Sequence, residues 1–219
     1  MKAETRRLTR KSDHTRQRIL DAAASTLANR GYAGTSIKAI ADSIDMQDAS
    51  LYYHFESKDA LVLEVLRTGV VLSEEAVNAA VSALGEQPDP IDALRAAIVA
   101  HAEAVLGMGD YPRANVRNFG QLPQEIVSAQ MSHQRRYGKV WRNLIEAAMA
   151  SGRLRQDMNT RAMRMLILGA LNWAPEWYKP RGELSPGDVG RQMAAMIIEG
   201  LLATGAAQPV RRQKQGNGR

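Results

Sequence analysis

The chain has 219 residues, with 29 Lys plus Arg against 23 Asp plus Glu, a formal charge of +6, and no Cys. That length holds one domain with an appendage or two small ones, and it buries enough surface to need no covalent staples. Without Cys, a disulfide framework, a thiol nucleophile and any Cys-ligated zinc or iron–sulfur site are excluded.

Charge is concentrated at the ends. Residues 1–20 hold seven basic and two acidic residues, and residues 209–219 hold four basic and none acidic. Residues 1–14, with Lys2, Arg6, Arg7, Arg10 and Lys11, read as a basic arm, and 209–219 as a basic disordered tail. The first thirty residues contain no apolar signal-peptide core, so the chain is expected to be soluble and cytoplasmic.

From there the apolar spacing is three to four residues almost throughout, with no sustained strand alternation, so an all-α chain is expected. The first helix is predicted over 15–30, with Ile19, Ala23 and Leu27 on one face and Gly31 as its stop. A short helix follows Thr35, the predicted N-cap, and runs to about Ile44. A tight turn at Asp45 leads to a second short helix over 47–53. Lys58 opens a long helix to about Leu84, with a predicted stripe of Leu61, Val65, Leu72, Ala76, Ala79 and Ala83. Gly69 should weaken its middle by about 1 kcal/mol relative to Ala.

The remainder reads as a bundle punctuated by Pro90, Pro123 and Pro186 at helix starts. Helices are expected over 90–106, 123–149, 160–177 and 186–204, with a shorter one over 112–120. Ser185 and Asp188 form a variant capping box, and Pro175 should bend the last turn of its helix. The longest apolar run, 165–175, contains Asn172 and ends before Glu176, well short of the ~18–20 residues of a membrane span.

The two short helices have the form of a helix-turn-helix. Ile37, Ile40, Ala41, Ile44, Met46, Leu51 and Tyr52 supply a small core, which leaves Gln47, Asp48, Ser50, Tyr53 and His54 facing outward. Such pairs also occur as mere packing units; the basic arm upstream favours nucleic acid.

The segments Thr15-Arg16-Gln17-Arg18-Ile19-Leu20-Asp21-Ala22-Ala23, Arg30-Gly31-Tyr32, Thr35-Ser36, Ile40-Ala41 and Ser50-Leu51-Tyr52-Tyr53-His54-Phe55 with Ser57-Lys58 resemble the DNA-binding head of the TetR family, over roughly 15–66. The resemblance implies a homodimeric regulator, usually a repressor, that leaves a palindromic double-stranded operator when a small ligand enters its C-terminal bundle. It implies a three-helix head over 15–75 and a ligand-binding and dimerisation domain over 76–208. It also implies that Thr35, Ser36 and Lys38 meet the DNA backbone and that Gln47, Ala49 and Ser50 read bases. Tyr53, His54 and Lys58 would then contact phosphates. Two positions depart from the family pattern: Asp45 stands where Gly is usual, and Asp48 where a basic or neutral residue is common.

No enzyme constellation emerges. The twelve Glu residues include no Glu-x-x-His pair for a di-iron bundle, the four His residues are scattered, and Gly107-Met108-Gly109 lacks phosphate-loop spacing. Neither a metal nor a resident cofactor is expected. A soft cluster of Phe119, Met131, Tyr137, Trp141, Met163, Met165, Trp173, Trp177 and Tyr178 reads as bundle core and dimer interface, or as an apolar cavity. Phe119, Met131, Tyr137, Trp141, Met165, Asn172, Trp173 and Trp177 are the candidate ligand residues. Gly169-Ala170-Leu171-Asn172-Trp173, Glu176-Trp177-Tyr178-Lys179-Pro180 and Gly182-Glu183-Leu184-Ser185 resemble the C-terminal signature of TetR-family regulators of fatty-acid and sterol catabolism. Several members of that group answer to acyl-CoA thioesters. Arg113, Arg117, Arg135 and Arg136 are candidates for meeting CoA phosphates. A multidrug-type regulator stays open, for which Glu103 or Glu146 would have to supply a buried carboxylate. So does a helical enzyme or binding module with a purely structural helix-turn-helix.

Overall fold

The computed structural model describes residues 2–118 and 120–202, the first ten of them by backbone alone. Phe119, residues 203–208 and the tail from 209 onward lie outside the described residues. The described residues form nine helices and no strand beyond an isolated bridge between Leu154 and Leu202.

Helix α1 spans Lys2–Arg30, not 15–30. No Gly or Pro interrupts the sequence before Gly31, so nothing halts the helix within the basic arm. Gly31, at φ 69°, then ends it, its N–H donating to the Leu27 carbonyl at 3.0 Å. Helices α2 (Ile37–Ser43) and α3 (Asp48–His54) follow. Asp45 lies between them at φ 53°, the one non-Gly residue with positive φ among those described. Asp tolerates that conformation, which explains how the turn forms without the usual glycine.

Helix α4 (Lys58–Ser82) joins two cores. Its Leu61, Val62, Val65 and Leu66 pack with Ile19, Leu27, Ile40 and Leu51 in the head, and its Val70 and Val77 pack in the bundle. The stripe therefore follows the expected line only through Val65. It continues through Leu66, Gly69, Val70, Ser73 and Val77, while Ala79 and Ala83 are exposed. Gly69 is the reason. It lies on the buried face where α6 (Asp110–Arg117) crosses, and a Cβ there would sit 2.3 Å from the Tyr111 carbonyl oxygen.

Around this spine stand α5 (Pro90–Gly107), α7 (Gln124–Ala150), α8 (Thr160–Trp177) and α9 (Pro186–Leu201). Pro90 and Pro186 occupy first-turn positions as expected, whereas Pro123 is the N-cap of α7. Pro175 lies within the last turn of α8. The capping box of α9 is present, and its bonds from Ser185, then Arg191, pull the Asp188 carboxyl down to about 2. Among the described residues, no helix is long and apolar enough to cross a membrane.

Candidate nucleic-acid interface and effector region

The turn at Asp45 leaves α3 with one buried residue, Leu51, and turns the rest of the helix outward. Tyr53 is 82% exposed, and its ring meets His54 edge-on at 5.1 Å. Gln47 and Ala49 are exposed, and Ser50 and His54 are half-buried. On α2, Ser36 is exposed and caps the helix by accepting from Ala39 N–H at 3.1 Å. Lys38 is exposed beside Asp42. These side chains share the outer surface of the head, where a groove-binding helix needs short polar groups.

Two expectations fail here, and a third residue has partners within the head. Thr35, expected at the helix cap and the DNA backbone, is buried, and its hydroxyl donates to the Gly31 carbonyl at 2.8 Å, so Ser36 takes the cap. Tyr52, expected in the core, is 56% exposed, because Leu51 alone fills the space beneath α3. Lys58, expected to reach a phosphate, is engaged within the head. Its ammonium lies 3.8 Å from the centre of the Tyr32 ring and donates to the Tyr32 carbonyl at 2.8 Å. At the other end of that ring, Tyr32 donates to Asp59 at 2.6 Å, a bond that raises its phenol to about 12.

The head is held to the bundle by α6, in a set of contacts that sequence periodicity does not signal. Asn118 is fully buried. Its Oδ1 accepts from the Tyr32 N–H at 2.6 Å, and its Nδ2 donates to Leu27 and Ala114 carbonyls at 3.2 and 2.7 Å. The Tyr111 hydroxyl donates to Asp21 at 2.7 Å; burial first and that bond second push the phenol up. Arg113 reaches Asn29 at 2.6 Å. Within the head, Arg16 pairs with Glu64 and lies 4.7 Å from the centre of the Phe55 ring.

In the bundle, α5, α7 and α8 converge on a polar cluster enclosed by apolar side chains. His101 is buried, with Nδ1 2.6 Å from the Tyr137 hydroxyl and Nε2 3.0 Å from Asn172 Oδ1. An amide oxygen only accepts, so Nε2 carries the imidazole proton and Tyr137 donates to Nδ1. Burial lowers His101 to about 4, against the opposing bond to Asn172, so the ring is neutral. Trp141 packs edge-on against both rings, and its buried Nε1 has no partner in bonding geometry among the described residues.

Of the candidate ligand residues, Tyr137 and Trp141 therefore lie in the interior, Asn172 is half-buried beside it, and Met131 is half-buried without packing against that core. Met165, Trp173 and Trp177 do not line the interior. They are 54, 65 and 50% exposed, on an outer stripe of α8 that also carries Leu166 and Gly169. Their spacing of four residues fits a helix face equally well turned inward or outward, which is why periodicity misplaced them. Glu103 and Glu146 are exposed. Among the described residues the buried carboxylate is Glu74, whose two oxygens accept from Arg136 Nε at 2.8 and 2.9 Å.

A surface recognition helix on a three-helix head, tied through α4 and α6 to an apolar bundle that encloses a small polar cluster, defines a one-component DNA-binding regulator. Residues 19–65 match the family described as bacterial regulatory proteins, tetR family, and residues 87–201 match the tetracyclin repressor-like C-terminal domain. The chain belongs to the TetR family and is a transcriptional regulator, not an enzyme. It is similar to the HTH-type transcriptional repressor KstR2 of Mycolicibacterium smegmatis, at 29% identity over 85% of this chain and 90% of the relative. The solved ketosteroid transcriptional regulator KstR2 of Mycobacterium tuberculosis superimposes with a TM-score of 0.74 at 25% identity, over 87% of this chain and 96% of that one. AibR, solved in complex with isovaleryl coenzyme A and operator DNA, gives 0.73 at 26% identity, over 83% and 96%. Regulators of this family bind operator DNA and small-molecule effectors.

Proposed function

We propose that this chain is a homodimeric, cytoplasmic transcriptional repressor that leaves a near-palindromic operator when an acyl-CoA thioester binds its bundle. The observation that carries the effector class is the likeness to AibR, a protein solved with isovaleryl coenzyme A and operator DNA. The interior chemistry agrees with it. His101, Tyr137 and Asn172 place polar groups inside an otherwise apolar bundle, where a thioester carbonyl would find partners. The head is assigned to 15–75 and the effector and dimer domain to 76–208, flanked by basic segments 1–14 and 209–219. DNA contacts are assigned to Ser36, Lys38, Gln47, Ala49, Ser50, Tyr53 and His54. Thr35 and Lys58 are reassigned to shaping the head.

The outer stripe of Met165, Leu166, Trp173 and Trp177 on α8, with Met196 on α9, is assigned to the dimer contact. An apolar patch of that kind suits a self-complementary interface, which needs about 800 Å² per partner. Effector binding works through α6. A ligand that favours the arrangement in which α6 shifts also favours release of the head, and equal affinity for both arrangements would shift nothing. A multidrug-type site for cations finds no support, since Glu74 is already neutralised by Arg136.

Titrating the protein–operator complex with free acids, coenzyme A and acyl-CoAs of several lengths tests the reading. Release by thioesters alone supports it. Release by cationic dyes, with no thioester effective, would replace it with the multidrug type.

A further inference from the structure

A cleft of about 200 Å³ opens where the end of α1 in the head faces α5, α6 and the end of α8. Its floor is apolar, from Ala28, Val105, Leu106 and Val116, with Pro175 and Tyr178 at one side. Its polar rim is Arg113, Arg117, Asn29 and Glu176. Arg113 and Arg117, one helical turn apart on α6, span the opening in opposite directions. Arg113 reaches the head at Asn29 (2.6 Å), and Arg117 reaches α8 at Glu176 (3.4 Å). Asp110 also lies 3.3 Å from Arg113.

Glu176 holds the Arg117 guanidinium weakly. The Arg117–Glu176 distance is long, and both side chains are about two-fifths exposed. Such surface pairs contribute about 0–1 kcal/mol. A ligand oxyanion would meet two guanidiniums with fixed forks, and charge-assisted bonds of that kind are stronger than the ones displaced. The surroundings lean the same way: Arg30 next to Asn29, and Lys179 and Arg181 on either side of lining Pro180, are all exposed. Glu176, Tyr178 and Pro180 come from the sequence segment that the helix-turn-helix and the bundle interior leave without a role.

We infer that this cleft between head and bundle binds a phosphate-bearing ligand through Arg113 and Arg117, and that Glu176 is the internal competitor for the same guanidinium. For the ligand's identity this deepens, and rests on, the thioester reading, with the coenzyme's phosphates as the recognised groups. Filling the cleft exchanges the bonds of Arg113 to Asn29 and of Arg117 to Glu176 for bonds to the ligand; coenzyme A alone makes this exchange, and the shift of α6 that releases the head also requires the acyl group in the bundle.

Isothermal titration of the full chain with coenzyme A, adenosine 3′,5′-bisphosphate and inorganic pyrophosphate tests the cleft without DNA. We expect coenzyme A to bind, and Arg113→Gln and Arg117→Gln each to weaken it about tenfold. Glu176→Gln should tighten it by removing the competitor. Opposite signs for the two partners of one ion pair are the decisive feature, because a merely structural bridge would shift affinity the same way from either side. Coenzyme A bound far more tightly than pyrophosphate identifies a nucleotide carrier as the source, and equal binding identifies free phosphate. No binding of any of the three probes, or same-signed effects at Arg117 and Glu176, overturns the inference. Phosphate binding with this pattern, but no operator release by any thioester, would uphold the cleft and sink the effector reading. Thioester release indifferent to Arg113 and Arg117 would do the reverse.

Discussion

Replacing Asn118 by Ala removes the side chain that ties the end of α6 to the end of α1. It deletes three hydrogen bonds from a fully buried site, at 2.6, 3.2 and 2.7 Å. The three losses differ in weight. The Leu27 and Ala114 carbonyls still accept from Gly31 and position 118 backbone N–H groups, so each costs only a net bond of about 0.5–1.5 kcal/mol. The Tyr32 N–H has no other bond among the described residues, and an orphaned donor costs about 1–3 kcal/mol. The expected loss is about 3 kcal/mol, a large share of the ~5–15 kcal/mol that holds a domain folded. Urea denaturation should show it as a lower midpoint at unchanged slope. The same variant should bind operator more weakly in fluorescence anisotropy, since Tyr32 also seats Lys58 and Asp59. An Asn118→Ala protein within 0.5 kcal/mol of wild type would refute the claim that this residue secures the head; that threshold is roughly the effect of an ordinary surface substitution.

Further outcomes follow from the same contacts. Because His101 stays neutral to about pH 4 when folded but takes up a proton near 6.5 when unfolded, the unfolded state binds more protons between those values; stability should therefore be lost as the pH is lowered from about 6.5 to about 4, by about 3 kcal/mol. Urea midpoints against pH for wild type and His101→Gln check this, and parallel curves would exclude it. In Gly69→Ala the new methyl meets the Tyr111 backbone, so overpacking of about 1–3 kcal/mol should outweigh a helix-propensity gain of about 1 kcal/mol; a Tm equal to or above wild type would show that α4 and α6 separate freely. Tyr53→Ala should weaken operator binding without loss of stability, while Lys58→Ala should lower both, and an unchanged Tm for Lys58→Ala would return that lysine to the phosphates.

Much of the fold was legible because it rests on local signals. Pro90, Pro186, Gly31 and the Ser185–Asp188 box act within a turn of themselves, and they mark helix ends that the structure keeps. The helix-turn-helix was readable for the same reason, through Leu51 inward and Tyr53 outward. What could not be read depends on which neighbour a helix face meets. Trp173 and Trp177 have the spacing of core residues and lie outside; Gly69 looks like a weakness and is the point where two backbones touch. Asn118 and Glu74 are polar residues whose burial is set by partners 86 and 62 positions away, Tyr32 and Arg136, and no periodicity carries that information. Thr35 was the expected cap, one residue before the Ser36 that takes the place. The extended backbone at Ser36 and the demand of the Gly31 carbonyl decided between them.

If the exposed side chains of α2 and α3 read a specific DNA sequence, the protein must distinguish its own operator from other duplexes. Fluorescence anisotropy with duplex from the protein's own upstream region, against a scrambled duplex of equal length, measures this over a series of salt concentrations. We expect a strong preference for the upstream duplex, affinity falling steeply with salt as phosphate counterions are released, and a protected near-palindrome with half-site centres about one helical turn apart. Equal affinity for both duplexes at every salt concentration would contradict it.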